Sequence, residues 1–220
     1  MLFGVVPCAL ALNYVLGVWH EGLLVLVAVY VYNDLGGGDE LVFRDVWLGV
    51  CYGICHVGAV RIALGGADGR GTGTGMGTGM SRGMGMGMGM NMAEDVISPR
   101  GYLWTVIVSM MIATMIPIQD LKDQEGDRAR GNRMTMPLLI GDAASRYQLA
   151  ATAVTWAVVC VVFWEKTPAW YAVLFVAYAG YIAWRLLARR NKVDDEVTWR
   201  NWCRWTMMVY ALPAVSTLMA

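Results

Sequence analysis

GYLWTVIVSMMIATMIPIQDLKDQEGDRARGNRMTMP, residues 101–137, joins two contrasting kinds of sequence. Residues 101–119 carry no charge and match the length of about 20 apolar residues that a helix needs to cross the hydrocarbon core of a bilayer. From Asp120 onward, carboxylates and arginines crowd the chain as far as Arg133, with Gly126 and Gly131 among them and Pro137 shortly after. An apolar span that ends in such a loop predicts a membrane helix whose charged continuation stands at the bilayer surface.

Beyond this junction, further apolar blocks lie at 2–19, 22–33, 42–64, 147–164, 168–187 and 200–219. The first two read as a tight pair hinged at His20-Glu21. The last opens with Arg200, Asn201 and Arg204. Backbone groups in lipid must be hydrogen-bonded within the chain, so helices are the expected form. The ten-residue alternating segments of a β-barrel are absent. The fold class read from the sequence is therefore all-α, a multi-pass transmembrane helix bundle of about seven spans forming one domain over 1–220.

Composition agrees. Of 220 residues, 57% are hydrophobic and 15% charged, and the apolar residues fall in blocks. Seventeen basic and seventeen acidic residues leave no positive surplus, so nucleic acid is not an expected partner, whereas the lipid bilayer is. The five cysteines lie in or beside apolar segments, unlike a disulfide framework. Cys51, Cys55 and His56 read as helix packing, because a structural zinc site needs about four closed ligands. No basic region precedes the apolar start, so no cleavable signal peptide is expected. Residues 65–95, which include GGADGRGTGTGMGTGMSRGMGMGMGMNM (65–92), form a Gly/Met-rich loop expected to be disordered. Its methionines could hold Cu(I), but a tolerated repeat expansion is the plainer reading, since loop closure entropy grows slowly with length.

Seven crossings put loops 34–41, 120–146 and 188–199 on one side. They hold more Lys and Arg than the opposite side, so the acidic loops are expected to face the cytosol, with the endoplasmic reticulum as the expected compartment.

The charged segment suggests its own chemistry. If the helix of 101–119 continues past Asp120, spacings of three and four put Asp120, Asp123 and Asp127 on one face, with Glu125 on another. Carboxylates converging beside a membrane need a counter-cation. Mg²⁺ suits them: it takes oxygen ligands, commonly one or two carboxylates completed by waters and substrate phosphates. Lys122, Arg128, Arg130 and Arg133 stand close by, and guanidinium groups suit phosphate. The plainer alternative is a solvated charged loop.

The segment DLKDQEGDRARGNRMTMP (120–137) closely resembles the second aspartate-rich motif of the UbiA superfamily of intramembrane prenyltransferases. YNDLGGGDE (32–40), LGVCYGICHVGAVRIALG (48–65) and WRNWCRWTMMVYALP (199–213) resemble its fungal branch of membrane-bound terpene cyclases. The resemblance implies nine helices around a lipid-open cavity, with two aspartate-rich motifs binding Mg²⁺ and a prenyl diphosphate at its mouth. Carried onto this chain, it makes Asp120, Asp123 and Asp127 the metal ligands and catalytic residues. Lys122, Arg128 and Arg133 become the diphosphate contacts. The substrate would be a farnesyl- or geranylgeranyl-class diphosphate, ionised and then cyclised or transferred. The cofactor would be Mg²⁺.

The match is incomplete. The family's first aspartate motif, and the NKPWRP-like run after it, have no counterpart; placing Asn33-Asp34 there leaves Gly37 and Leu41 where aspartates belong. The better alignment sets Asn33-Asp34 after the family's fourth helix, so that the seven spans equal its third to ninth. Two outcomes follow: an enzyme whose missing helices reflect a truncated sequence, or a degenerate, non-catalytic relative. Asn33, Asp34, Asp39 and Glu40 fall on the motif side and are secondary candidates for the site; turn formation and capping around Gly36–Gly38 is their alternative role. GNRMTMP also runs one residue longer than the family's usual spacing, which leaves open which arginine reaches phosphate.

Overall fold

A computed structural model describes residues 2–67, 97–131 and 133–218. Among them lie α1 (Leu2–Val15), α2 (Trp19–Asn33), α3 (Leu41–Ala67), α4 (Pro99–Met115), a 3₁₀ turn (Ile116–Gln119), α5 (Asp120–Arg130), α6 (Met136–Ile140), α7 (Asp142–Phe163), α8 (Ala169–Ala188) and α9 (Lys192–Leu218), and no strand. Among the described residues, every apolar block of the sequence is mostly helical. Among the described residues, four helices are long and apolar enough to cross a membrane: Leu41–Leu64, Pro99–Arg130, Asp142–Phe163 and Ala169–Ala188. Gly4–Val15 is apolar but shorter. At 14 and 15 residues, α1 and α2 fall below the usual spanning length. The 27-residue α9 is long enough, but Asp194, Asp195, Glu196, Arg200 and Arg204 dilute its apolar character. The chain is a multi-pass helical membrane protein. Of the loop expected at 65–95, the first three residues close α3, and residues 68–95 lie outside the described residues.

The chain expected as one domain groups its contacts into two compact units, Met1–Val27 with Gly53–Val106, and Ala28–Tyr52 with Ile107–Ala220.

In the first unit the hinge differs from the one expected at His20-Glu21. The break falls at Leu16–Val18, where Gly17 takes φ 75° and the Val18 amide donates to the Asn13 carbonyl at 2.8 Å. Glycine is the residue that turns left-handed without steric cost, so the chain reverses there and His20 and Glu21 enter the first turn of α2. Glu21 is buried and ion-paired with Arg61 of α3, whose guanidinium also reaches the Tyr102 hydroxyl of α4 at 3.4 Å. This side chain, read as a loop residue, is thus an internal charge with a partner. Nearby, His56 Nδ1 lies 2.9 Å from Thr105 Oγ1.

In the second unit α7 and α8 pack together, and α8 packs antiparallel on α9. Tyr171 Oη donates to the Met208 carbonyl at 2.9 Å, Tyr178 Oη to Asn201 Oδ1 at 2.9 Å, and Arg185 Nε to Thr198 Oγ1 at 3.1 Å, so rising numbers on α8 meet falling numbers on α9. Phe175 and Trp205 stack between these helices with centroids 5.0 Å apart. Arg146 of α7 locks the arrangement. Its Nη1 and Nη2 donate to the two oxygens of Asp195 on α9 at 2.7 and 2.8 Å, and its Nε donates to Asp142 at 2.8 Å. This fork matches a carboxylate bidentately and leaves neither buried charge unpaired.

Two sequence features then aim the acidic segment. Pro117 cannot supply the amide that an α-helical turn needs, and the chain tightens to 3₁₀ over Ile116–Gln119 before α5 begins at Asp120. Gly49 lets α3 and α4 touch: a Cβ there would lie 2.6 Å from the Ser109 carbonyl oxygen and 2.8 Å from Ala113 Cβ. Small residues at such crossings are how helices approach closely in lipid. Gly49→Val should lower stability by about 1–3 kcal/mol. Gly180→Ala, where a Cβ meets nothing within 4 Å, should be neutral or slightly stabilising. Thermal melts of the detergent-solubilised variants check both.

Candidate functional site

The helix does continue past the apolar run, and α5 carries Asp120, Asp123 and Asp127. The three carboxylates meet different surroundings. Asp120 and Asp127 are 1% and 3% exposed, whereas the side chain of Asp123 is half exposed. A seven-residue step returns a helix almost to the same face, which is how Asp120 and Asp127 both point inward. The intervening Asp123 is rotated towards the surface, where Lys122 Nζ lies 3.1 Å from it.

Asp120 has a partner that the sequence reading missed. Arg44, fully buried in the first turn of α3, places Nη2 2.5 Å from Asp120 Oδ2 and donates from Nε to Asp45 Oδ1 at 2.9 Å. One guanidinium thus bridges two buried carboxylates on different helices. A signal was present in LVFRDVWLG (41–49), where an Arg-Asp pair interrupts the start of an apolar span; charges in that position call for internal partners. The remaining nitrogen, Arg44 Nη1, is buried with no hydrogen-bond partner.

At the other end of α5, Arg133 Nε lies 3.4 Å from Asp127 Oδ1, an ion pair without hydrogen-bond geometry. Asp127 Oδ2, Arg133 Nε and the Oγ1 of fully buried Thr135 have no hydrogen-bond partner. Buried polar atoms are nearly always satisfied, so four such atoms on Arg44, Asp127, Arg133 and Thr135 are a feature to explain. Arg128 and Arg130 are exposed on the last turn of α5, which ends at Gly131. Lys122 sits over the Trp199 ring of α9, 5.1 Å from its centroid. Gln124 donates to Asp142 at 2.8 Å and thereby joins α5 to the Arg146 lock.

The secondary candidates lie in a compact turn between α2 and α3. The Asn33 amide donates to the Val29 carbonyl at 2.9 Å, so it folds back on its own helix. The amides of Gly37 and Gly38 donate to the carbonyls of Val31 and Tyr32, and Asp34 and Glu40 are exposed. The Met134 amide donates to the Asp39 carbonyl at 2.9 Å. This bond ties the turn at 34–40 to the segment after α5, so the two acidic stretches share one end of their unit.

Among the described residues, no group of three or more His, Cys, Asp or Glu side chains stands ready to hold a metal ion. The donors suit Mg²⁺ in a more limited way. The unpartnered Oδ2 of Asp127 and the accessible carboxylate of Asp123 could supply the one or two protein oxygens that Mg²⁺ typically takes beside phosphate and water. Asp120 is already neutralised by Arg44.

Removing the bridge should be costly. Arg44→Ala strands Asp45 and Asp120 and is expected to lose about 3–5 kcal/mol of stability. Adding Asp120→Asn should recover part of that loss. A double-mutant cycle on unfolding in detergent measures it, and additivity of the two substitutions would contradict the bridge.

The model of the UbiA prenyltransferase family matches residues 1–208. Three curated proteins are similar to the chain. Somaliensene A/B synthase of Streptomyces somaliensis is 29% identical over 121 residues, covering 52% of this chain and 40% of that protein. Diterpene cyclase eriG of Hericium erinaceus is 34% identical over 124 residues, 55% of this chain and 39% of the relative. Fumagillin beta-trans-bergamotene synthase af520 of Aspergillus fumigatus is 30% identical over 114 residues, 50% and 39% respectively. The alignments thus span about two fifths of the length of these relatives. No solved structure matches the chain. With its helical membrane architecture and the family match over 1–208, the chain belongs to the UbiA prenyltransferase family.

Proposed function

We propose that α5 and the segment after it form the diphosphate-binding half of a magnesium-dependent site that ionises a prenyl diphosphate, and that the allylic cation then cyclises. The observation that carries this reading is the set of unsatisfied buried groups around α5, above all Asp127 Oδ2 beside Arg133. Carboxylate oxygens and guanidinium nitrogens left open together suit a cation and an oxyanion arriving together. The names of the three relatives, each a synthase or cyclase, favour cyclisation over transfer to a second substrate.

In this reading Asp123 and Asp127 hold Mg²⁺ and Asp120 completes the carboxylate face under the control of Arg44. Bound Mg²⁺ would supply Lewis-acid stabilisation of the departing diphosphate. Arg133, Arg128 and Lys122 contact its oxygens and offset the charge that builds as the carbon–oxygen bond breaks. Asn33, Asp34, Asp39 and Glu40 shape the rim through the turn bonded to Met134. The acidic segments face the cytosol, and the membrane is that of the endoplasmic reticulum. The substrate class is farnesyl or geranylgeranyl diphosphate.

A non-catalytic role is the second reading. It is favoured by the lack of a ready three-carboxylate group among the described residues and by the Arg44 bridge, which already satisfies Asp120. The readings separate when membranes carrying the protein are incubated with either diphosphate and Mg²⁺. Pyrophosphate release should be abolished by chelation and reduced about 100-fold or more in Asp123→Ala and Asp127→Asn. Release no greater than from empty membranes, by protein shown to be folded, overturns the enzymatic reading. Mg²⁺-dependent pyrophosphate binding without release would then support the non-catalytic one.

A further inference from the structure

A second feature lies wholly in the unit formed by Met1–Val27 and Gly53–Val106. There α1, α2 and α3 surround a cavity of about 370 Å³, within the lower range of small-ligand sites. Its walls are mostly apolar, with Val25, Ile54 and Ile62 among them, and the polar side chains reaching it are Asn13 and Glu21. Glu21 is 8% exposed. One of its oxygens takes Arg61, while Oε2 is buried without a hydrogen-bond partner.

This combination narrows the occupant. The Arg61 pair already balances the carboxylate charge, so a cationic guest would bring an uncompensated charge into apolar surroundings. A lone water would find at most the side chains of Asn13 and Glu21, fewer than the about three hydrogen bonds that a buried water commonly makes. What Oε2 lacks is one neutral donor, and what the walls lack is an apolar body. We infer that this cavity is a binding site for a neutral lipophilic alcohol, its hydroxyl donating to Glu21 Oε2 and its hydrocarbon part lying against Val25, Ile54 and Ile62.

The test uses the full chain in nanodiscs and a diazirine-bearing farnesol as photoprobe. Irradiation and digestion should place label on peptides covering residues 9–26 and 54–62. Unlabelled farnesol should compete, and farnesene, which lacks the hydroxyl, should compete about tenfold less well. Ala59→Phe, which fills the cavity from α3, should remove the label. Gly180→Ala, outside the cavity and with nothing within 4 Å of its new Cβ, should keep it and serves as the control. A sterol that competes as well as farnesol assigns the site to a hydroxylated lipid of the bilayer; a sterol that does not compete assigns it to acyclic alcohols. Equal competition by farnesene and farnesol, or no label on these peptides, overturns the inference.

Discussion

A charge taken out of water inside a helix bundle has to meet an opposite charge, because the desolvation cost of an isolated ion exceeds what packing supplies. This constraint organises both units. Arg61 answers Glu21 in one; Arg44 answers Asp45 and Asp120 in the other, where Arg146 also answers Asp142 and Asp195 and Arg185 answers Asp194. Each arginine joins at least two helices or a helix to its neighbouring turn. Apolar contact alone holds transmembrane helices loosely, since lipid tails are as apolar as the side chains they would replace. The ion pairs therefore fix which helices are neighbours and in what register, while Gly49 and the Phe175–Trp205 stack set how closely they come.

Much of the helical pattern was legible because length and apolarity act locally. The run at 101–119 stops at a charge, and α4 with its 3₁₀ continuation stops there too. The helical continuation that the spacing of Asp120, Asp123 and Asp127 presupposed is present as α5. Two things were not legible. The hinge was placed at the polar His20-Glu21 pair, whereas Gly17 made the turn and Glu21 went inside to meet Arg61. Asp120 was read as a metal ligand only, and its ion pair with Arg44, 76 positions earlier, was not foreseen. Each miss has the same cause: the deciding contact is distant in sequence, and a charge inside an apolar run announces that it needs a partner without saying which.

The arrangement around α5 separates two duties that its carboxylates could have shared. Asp120 is committed to Arg44 and so holds the helix against α3. Asp127 keeps one oxygen open, and Asp123 is accessible. Gln124 grips Asp142, so the same short helix is also anchored to the Arg146 lock. A helix of 11 residues is marginal by itself in water. Here it is fastened to two neighbours, α3 and α7, which leaves its open carboxylates on a rigid support.

The contact between the Met134 amide and the Asp39 carbonyl has a different consequence. It involves only main-chain atoms, so most amino-acid replacements at these two positions leave its donor and acceptor in place; proline at 134 is the exception, because it carries no amide hydrogen. The side chains of both segments are therefore free to diverge, tuning charge and shape at the rim, while the spacing between the two loops is inherited from the backbone.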